Sequence, residues 1–209
     1  VDLRYERKLG PASSFRQAFT FGYDLTGFDG GGVSDMLFAT RSELRYAWTP
    51  RTTVRAGLDA SIDHIESTLD ELAQGEGGFE LPIDLSPRFD FAVGAYADAV
   101  VKVDDRLEVT PGVRADFYAS DGKEGGTAWA VEPRLSAVLR VKPWLRLVQA
   151  HGFASQRPSF FLPGPGFAPN LGGGLQRSFQ TSAGVEADLP LDVEAKVVFF
   201  RSAFFDMTD

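Results

Sequence analysis

A strict two-residue periodicity runs through this chain in stretches of a dozen residues or more, and no other feature restricts its fold as strongly. The clearest stretch is residues 89–103. Phe89, Phe91, Val93, Ala95, Ala97, Ala99, Val101 and Val103 take one phase, while Asp90, Gly94, Asp98 and Lys102 take the other. Successive side chains of a strand point to opposite faces, so this stretch is a strand with one apolar and one polar face. Strands of soluble sheets usually run about 5–6 residues. Alternation more than twice that long, repeated along the chain, predicts a wall between lipid and a wet lumen. A helix would scatter Asp90, Asp98, Glu108, Asp116 and Arg134 around its circumference; alternation puts them on one face.

About ten such strands are expected. They fall at residues 2–9, 14–26, 36–48, 52–66, 89–103 and 107–118, then around 131–141, at 145–155, around 179–187, and at 192–204. Short connections carry turn residues: Gly10 to Ser13, Thr49 to Arg51, Asp104 with Asp105, Lys142 with Pro143, and Leu189 with Pro190. Long ones alternate with them: a Gly-rich stretch at 28–35, an acidic stretch at 67–87, residues 120–127, and a Pro- and Gly-rich stretch at 156–174. Outer-membrane barrels place short turns on the periplasmic side and long loops outside. On that rule the first strand descends, the tenth ascends, and both chain ends lie at the outer rim. The expectation is therefore an all-β, antiparallel, up-and-down transmembrane β-barrel segment. Residues 1–209 would form a single partial barrel domain without a plug. A complete ten-stranded barrel is the alternative, and a soluble up-and-down sheet is a second. The chain starts at Val1 rather than Met, which is read as an N-terminus processed, trimmed or excised from something longer.

Composition removes several classes. The 209 residues carry a net charge of −8 and no cysteine, which excludes disulfides and thiolate metal sites and disfavours nucleic-acid binding. No run of about 18–20 apolar residues exists to form a transmembrane helix, and no basic n-region with an apolar h-region opens the chain. Eighteen Phe and 22 Gly suit strand faces and turns. Trp48 and Trp144 flank short turns and Trp129 falls near the outer rim, as interfacial aromatics do.

Little in the chain points to chemistry. His64 and His151 lack metal-ligand companions and are read as interfacial or packed. There is no Gly-x-Ser-x-Gly elbow, and acidic pairs such as Asp104 with Asp105 read as solvated charge. Gly30 to Gly32 lacks the helix and Lys of a phosphate cradle, and the acidic loop around Asp70 to Asp84 lacks a calcium-loop pattern. No catalytic residue, metal site or cofactor is expected. The polar phase is more informative. Arg55, Asp59, Asp63, Asp98, Lys102, Arg114, Asp116, Glu132, Arg134 and Arg140 all project one way if the apolar phase faces lipid. A midplane Arg or Lys facing lipid would cost about 2–4 kcal/mol, whereas inward charges pair across strands. These ten are expected to line the lumen through ion pairs and plug contacts, with substrate guidance as the sharper role. Gln156, Arg157, Phe160 and Phe161 are the candidates for external ligand capture.

The second half also resembles a known family. The run Val109-Thr110-Pro111-Gly112-Val113-Arg114-Ala115-Asp116-Phe117-Tyr118 is similar to a recurring barrel strand of TonB-dependent outer-membrane receptors. Glu132-Pro133-Arg134-Leu135-Ser136, then Lys142-Pro143-Trp144-Leu145, resemble the strand and turn that follow it. Gly152 to Pro158, and Phe199-Phe200-Arg201 with Asp206-Met207, continue the likeness in order. Over residues 1–106 only strand rhythm supports it. The resemblance implies a full barrel of about 22 strands around an N-terminal plug. It also implies uptake of a scarce solute such as a metal chelate across the bacterial outer membrane. The partners would be outer-membrane lipid, the plug domain, the remaining strands of the parent barrel, and a TonB-type energy-transducing protein acting through the plug. Competing readings are a complete small outer-membrane barrel, structural or enzymatic, and a soluble all-β binding module.

Overall fold

The computed structural model describes residues 1–28, 31–67, 87–122, 125–157, 171–191 and 193–205. Ten strands follow one another: β1 (Asp2–Lys8), β2 (Ser13–Phe28), β3 (Gly31–Thr49), β4 (Thr52–Ser67), β5 (Arg88–Lys102), β6 (Leu107–Ser120), β7 (Gly126–Lys142), β8 (Leu145–Gln156), β9 (Gln176–Leu189) and β10 (Val193–Phe205). They form one antiparallel sheet in chain order. β1 and β10 are its two ends and do not pair with each other among the described residues. Apart from β1, strand lengths run from 12 residues in β8 to 19 in β3. A tilted strand needs only about 9–11 residues to cross the hydrocarbon of a bilayer.

Burial is inverted relative to a soluble sheet. The register puts Phe19, Phe38, Ile62, Phe91, Val93, Phe117 and Val131 on one face, and every one of them is exposed. The opposite face carries Asp90, Asp98 and Asp116, which are buried at 3%, 8% and 7% exposure. Water around such a molecule would favour the reverse, because apolar surface is driven inward and charge is costly to bury. A face of oil outside and paired charge inside is stable when the outer solvent is lipid. Trp48, Trp129 and Trp144 are all strongly exposed.

Two connections expected to be long are short. Residues 28–35 and their flanks close into a hairpin in which Phe28 pairs with Gly31 and Gly27 with Gly32. Only residues 29 and 30 lie between the strands, and both fall outside the described residues. Glycine accepts extended backbone readily, so the ladder continues through Gly31 and Gly32 once each N–H and C=O finds a partner across the pair. The β6–β7 connection is likewise only residues 121–125, because β7 begins at Gly126. The acidic stretch weighed as a calcium loop lies within residues 68–86, outside the described residues. Inside the last long connection a single 3-10 turn forms at Leu171–Gly173.

Two prolines sit inside central strands and mark where ladders lapse. Pro has no N–H to give a neighbour. β5 and β6 are paired from Asp90↔Ser120 to Asp98↔Gly112 and again from Val101↔Val109, with a gap beside Thr110 and Pro111. β7 and β8 pair only as far up as Arg134↔Gly152, next to Pro133, although β8 runs on to Gln156. The backbone N–H of Ser155, left without β7, donates to Glu132 Oε1 at 2.5 Å.

The β5–β6 turn shows how the short connections are set. One oxygen of Asp104 accepts the backbone N–H groups of Arg106 and Leu107, both at 2.7 Å. Those two donors hold its carboxyl below the usual carboxylate range. A depressed folded value means the turn's contribution is fully present above about pH 4, the unfolded range, and is lost as pH falls through the folded value. Carboxyl titration followed by NMR in detergent is expected to give Asp104 a midpoint below the ordinary aspartate value; a midpoint at or above that value would contradict the turn geometry.

Candidate functional site

Among the described residues, polar and charged groups concentrate on one face of the sheet, and its geometry follows from rows of directly opposed residues. One row runs Arg41, Asp59, Gly94, Asp116 and Ala130 across β3 to β7. The next runs Glu43, Gly57, Tyr96, Arg114 and Glu132 across the same strands. A third continues through Arg45, Arg55, Asp98, Gly112, Arg134 and Gly152. Opposite charges thus meet both across and along the strands.

Asp59 is the hub of the first network. Arg41 Nε donates to its Oδ1 at 2.5 Å and Arg114 Nη1 to its Oδ2 at 2.6 Å. Arg114 also grips Asp116 with two nitrogens, Nε at 2.8 Å and Nη2 at 2.7 Å. Paired, charge-assisted bonds of this kind are stronger than neutral ones. The second network centres on Asp98, which accepts Arg55 Nε at 2.6 Å and Arg134 Nη2 at 3.2 Å. Arg134 lies 5.6 Å over the Tyr96 ring, and the Tyr96 hydroxyl donates to Glu43 at 2.7 Å. A third network joins Arg146 to Asp188 at 3.1 Å, with Glu186 bridging to Lys196 at 2.6 Å.

Glycines on this face make the networks possible. A Cβ at Gly94 would land on Arg114 Nη2 and Asp116 Oδ1, and one at Gly57 would fall on the Tyr96 ring. At Gly112 it would come within 2.8 Å of Asp98 Cβ. Each glycine is a notch that lets a long side chain lie flat over the neighbouring strand. A cavity of about 870 Å³ remains above this wall, bordered by Arg4, Arg16, Arg41, Asp59, Arg114 and Tyr118 among others. Such a surface can hold water and polar solutes against paired charge.

All ten charged residues singled out from the sequence project from this face. Arg55, Asp59, Asp98, Arg114, Asp116 and Arg134 are brought together in the first two networks. Asp63 meets Arg157 at 3.8 Å, and Glu132 holds the Ser155 N–H. Lys102 lies opposite Glu108 near the short turns. Arg140 reaches the carbonyl of Asp105 at 3.4 Å. Of the loop candidates, Gln156 Nε2 donates to Gln176 at 2.9 Å, and Arg157 turns to Asp63 and to Asp90, the latter at 3.4 Å. Phe160 and Phe161 lie outside the described residues. The histidines sit on the apolar face: His64 stacks on Phe89 with centroids 4.2 Å apart, and His151 Nδ1 is 2.8 Å from Thr181 Oγ1.

Several participants were not legible as such. Arg41 and Glu43 belong to a strand whose alternation is weak, yet the register places them against Asp59 and Tyr96. Arg88 and Asp90 form a buried pair, at 3.2 Å, at the start of β5 and just after the acidic stretch. Of these, Glu43 stands directly opposite Gly57, a pairing that register alone reveals.

Residues 1–208 match the family described as TonB dependent receptor-like, beta-barrel. Among curated proteins none matches the chain. The FrpB iron transporter from Neisseria meningitidis, in apoprotein form, aligns with a TM-score of 0.74 at 15% identity, over 97% of this chain and 36% of its own. The ferric-catecholate import receptor Fiu from E. coli aligns with a TM-score of 0.69 at 11% identity, over 97% of this chain and 40% of its own. The outer membrane channel DcaP of Acinetobacter baumannii aligns at 0.59 and 17% identity, over 99% of this chain and 57% of its own. The chain therefore spans little more than a third of the first of these structures, and at such identities the likeness is one of fold.

Proposed function

The chain belongs to the TonB-dependent receptor-like β-barrel family, and on that premise we propose that it forms part of the wall of a bacterial outer-membrane transporter for a scarce solute such as a metal chelate. The observation that carries this reading is the inverted sheet: exposed Phe and Val on one face, buried and mutually paired Arg and Asp on the other. The open order from β1 to β10 is what a single partial barrel domain over residues 1–209 would present, with the remaining strands of a parent barrel adding at its ends. The described iron transporter and ferric-catecholate receptor of like fold favour a metal chelate over other solutes. In this reading outer-membrane lipid covers the apolar face. A plug domain occupies the polar side, and a TonB-type protein supplies energy through that plug. Arg55, Asp59, Asp98, Arg114 and Arg134 act as lumen wall, and Gln156, Arg157, Phe160 and Phe161 are the candidates for solute capture.

Removal of residues 52–120 from the chromosomal gene tests it. The expected result is loss of iron-chelate accumulation under metal limitation, together with loss of the component that a proton uncoupler abolishes in the parent strain. Unchanged accumulation of iron and copper chelates, with the intact protein absent from the outer-membrane fraction, would reject the reading.

A further inference from the structure

Two arginines face each other directly on the polar side of the sheet. Arg45 on β3 is the register partner of Arg55 on β4. Like charges so placed repel and weaken the strand pair. Their row begins with Lys8 on β1 and Ser14 on β2, and it continues through Asp98 and Gly112 to Arg134 on β7. Lys8, Arg45, Arg55 and Arg134 thus share the row with a single carboxylate. Asp98 is saturated by two of them: its Oδ1 accepts Arg55 and its Oδ2 accepts Arg134. Arg45 is exposed and has no carboxylate partner among the described residues. Glu43, two residues along β3 on the same face, accepts the Tyr96 hydroxyl. The next row toward the short turns offers no charge in Ala47, Thr53 and Val100.

A cavity of about 430 Å³ lies against this row, bordered by Arg55, Asp98 and Arg134 and by the hydroxyls of Thr110 and Ser136. Its acid is covered and its donors are open. The Asp98 side chain is 6% exposed, whereas those of Arg55 and Arg134 are 37% and 44% exposed. A guanidinium is a planar fork of N–H donors with no acceptor. Arg55 and Arg134 each spend one nitrogen on Asp98, which leaves the rest of each fork available to the cavity. Donor-rich surfaces of this kind suit anions with two oxygens in one plane, because the fork bonds both at once. Toward the other end of the strands the opposed pairs are acidic instead, Asp24 with Asp35 and Asp63 with Asp90. The excess of cation is therefore confined to the row nearer the short turns.

We propose that Arg45 and Arg55, with Arg134 across the cavity, form an anion subsite on the wall, matched to a carboxylate or a group of like charge and shape on a solute. The bound anion relieves the repulsion between the opposed arginines, which the wall itself leaves uncompensated. The proposal rests on the reading of this face as a lumen, and it adds the charge and shape of what the lumen holds. Binding is measured without transport, so its failure leaves uptake to be judged by the gene deletion.

The probe is radiolabelled tricarballylate, three carboxylates on a three-carbon chain, in equilibrium dialysis against the full-length receptor in detergent. Saturable binding is expected, with affinity falling as salt rises. The uncharged triamide should not compete. Arg45→Gln is expected to weaken binding roughly tenfold, the scale of one charge-assisted hydrogen bond. It removes no bond within the wall, so folding should be unchanged. Arg45→Lys keeps the charge without the fork and should fall between the two. Arg177→Gln removes the same charge from the apolar face, in the phase of Phe153 and Phe179, and should change nothing. Absence of saturable binding overturns the proposal, as does competition by the triamide. Binding indifferent to Arg45→Gln also overturns it, and so does an equal loss in Arg177→Gln, which would reduce the effect to net charge.

Discussion

Val93→Arg is expected to destabilise the folded protein in lipid by about 2–4 kcal/mol, while Ala92→Arg, one residue away, costs far less. Val93 is 49% exposed near the middle of β5, flanked by Ala60 and Phe117 on the apolar face. A guanidinium there faces hydrocarbon with no donor or acceptor to meet it, too far from either interface to snorkel without strain. Ala92 points the other way, between Ser61 and Tyr118 and into the charge-lined cavity near Asp59 and Asp116. Its replacement by arginine finds water and carboxylates. Urea unfolding in lipid vesicles, followed by tryptophan fluorescence, measures both variants. Equal costs at the two positions would mean that the apolar face does not meet lipid.

Gly94→Val should also be strongly destabilising, by roughly 2–3 kcal/mol, the cost of breaking a buried ion pair discounted for the partial exposure of Arg114. Strand propensity alone predicts the opposite sign, since valine is favoured over glycine in strands on a scale of about 1 kcal/mol. The reversal comes from the notch. A Cβ at Gly94 occupies the place of Arg114 Nη2 and Asp116 Oδ1, so the guanidinium must leave Asp59, Asp116 or both. Asp116 is 7% exposed and would be left as a buried, unpaired charge. A double-mutant cycle separates the causes: with Arg114→Ala already in place, Gly94→Val should lose most of its cost. A full cost in that background would place the effect in the backbone rather than the network.

Strand existence and facing were legible because each is a local property. Alternation in residues 89–103 names its own two faces, and no distant residue is needed to choose between them. Punctuation was less reliable. The glycines at 30–32 carry the composition of a loop, yet Gly31 and Gly32 complete a hairpin ladder with Phe28 and Gly27. Local propensity there is overridden by hydrogen bonds to a partner strand, and a single strand cannot announce its partner.

The candidate site divides in the same way. That Arg55, Asp59, Asp98, Arg114, Asp116 and Arg134 share one face follows from parity alone. That Asp59 is shared by Arg41 and Arg114, and Asp98 by Arg55 and Arg134, depends on register between strands up to three apart in sequence order. The same register turns Gly57, Gly94 and Gly112 from apparent weak points into the clearances the ion pairs require.

The sequence by itself determined a wall with an oily and a charged side, because alternation and the cost of placing charge in hydrocarbon act residue by residue. Only the tertiary structure decided which charges pair, where Pro133 parts two strands, and that Arg157 and Leu175 fold back onto the wall. Those outcomes depend on distances between segments that are remote in the chain, and periodicity carries no information about them.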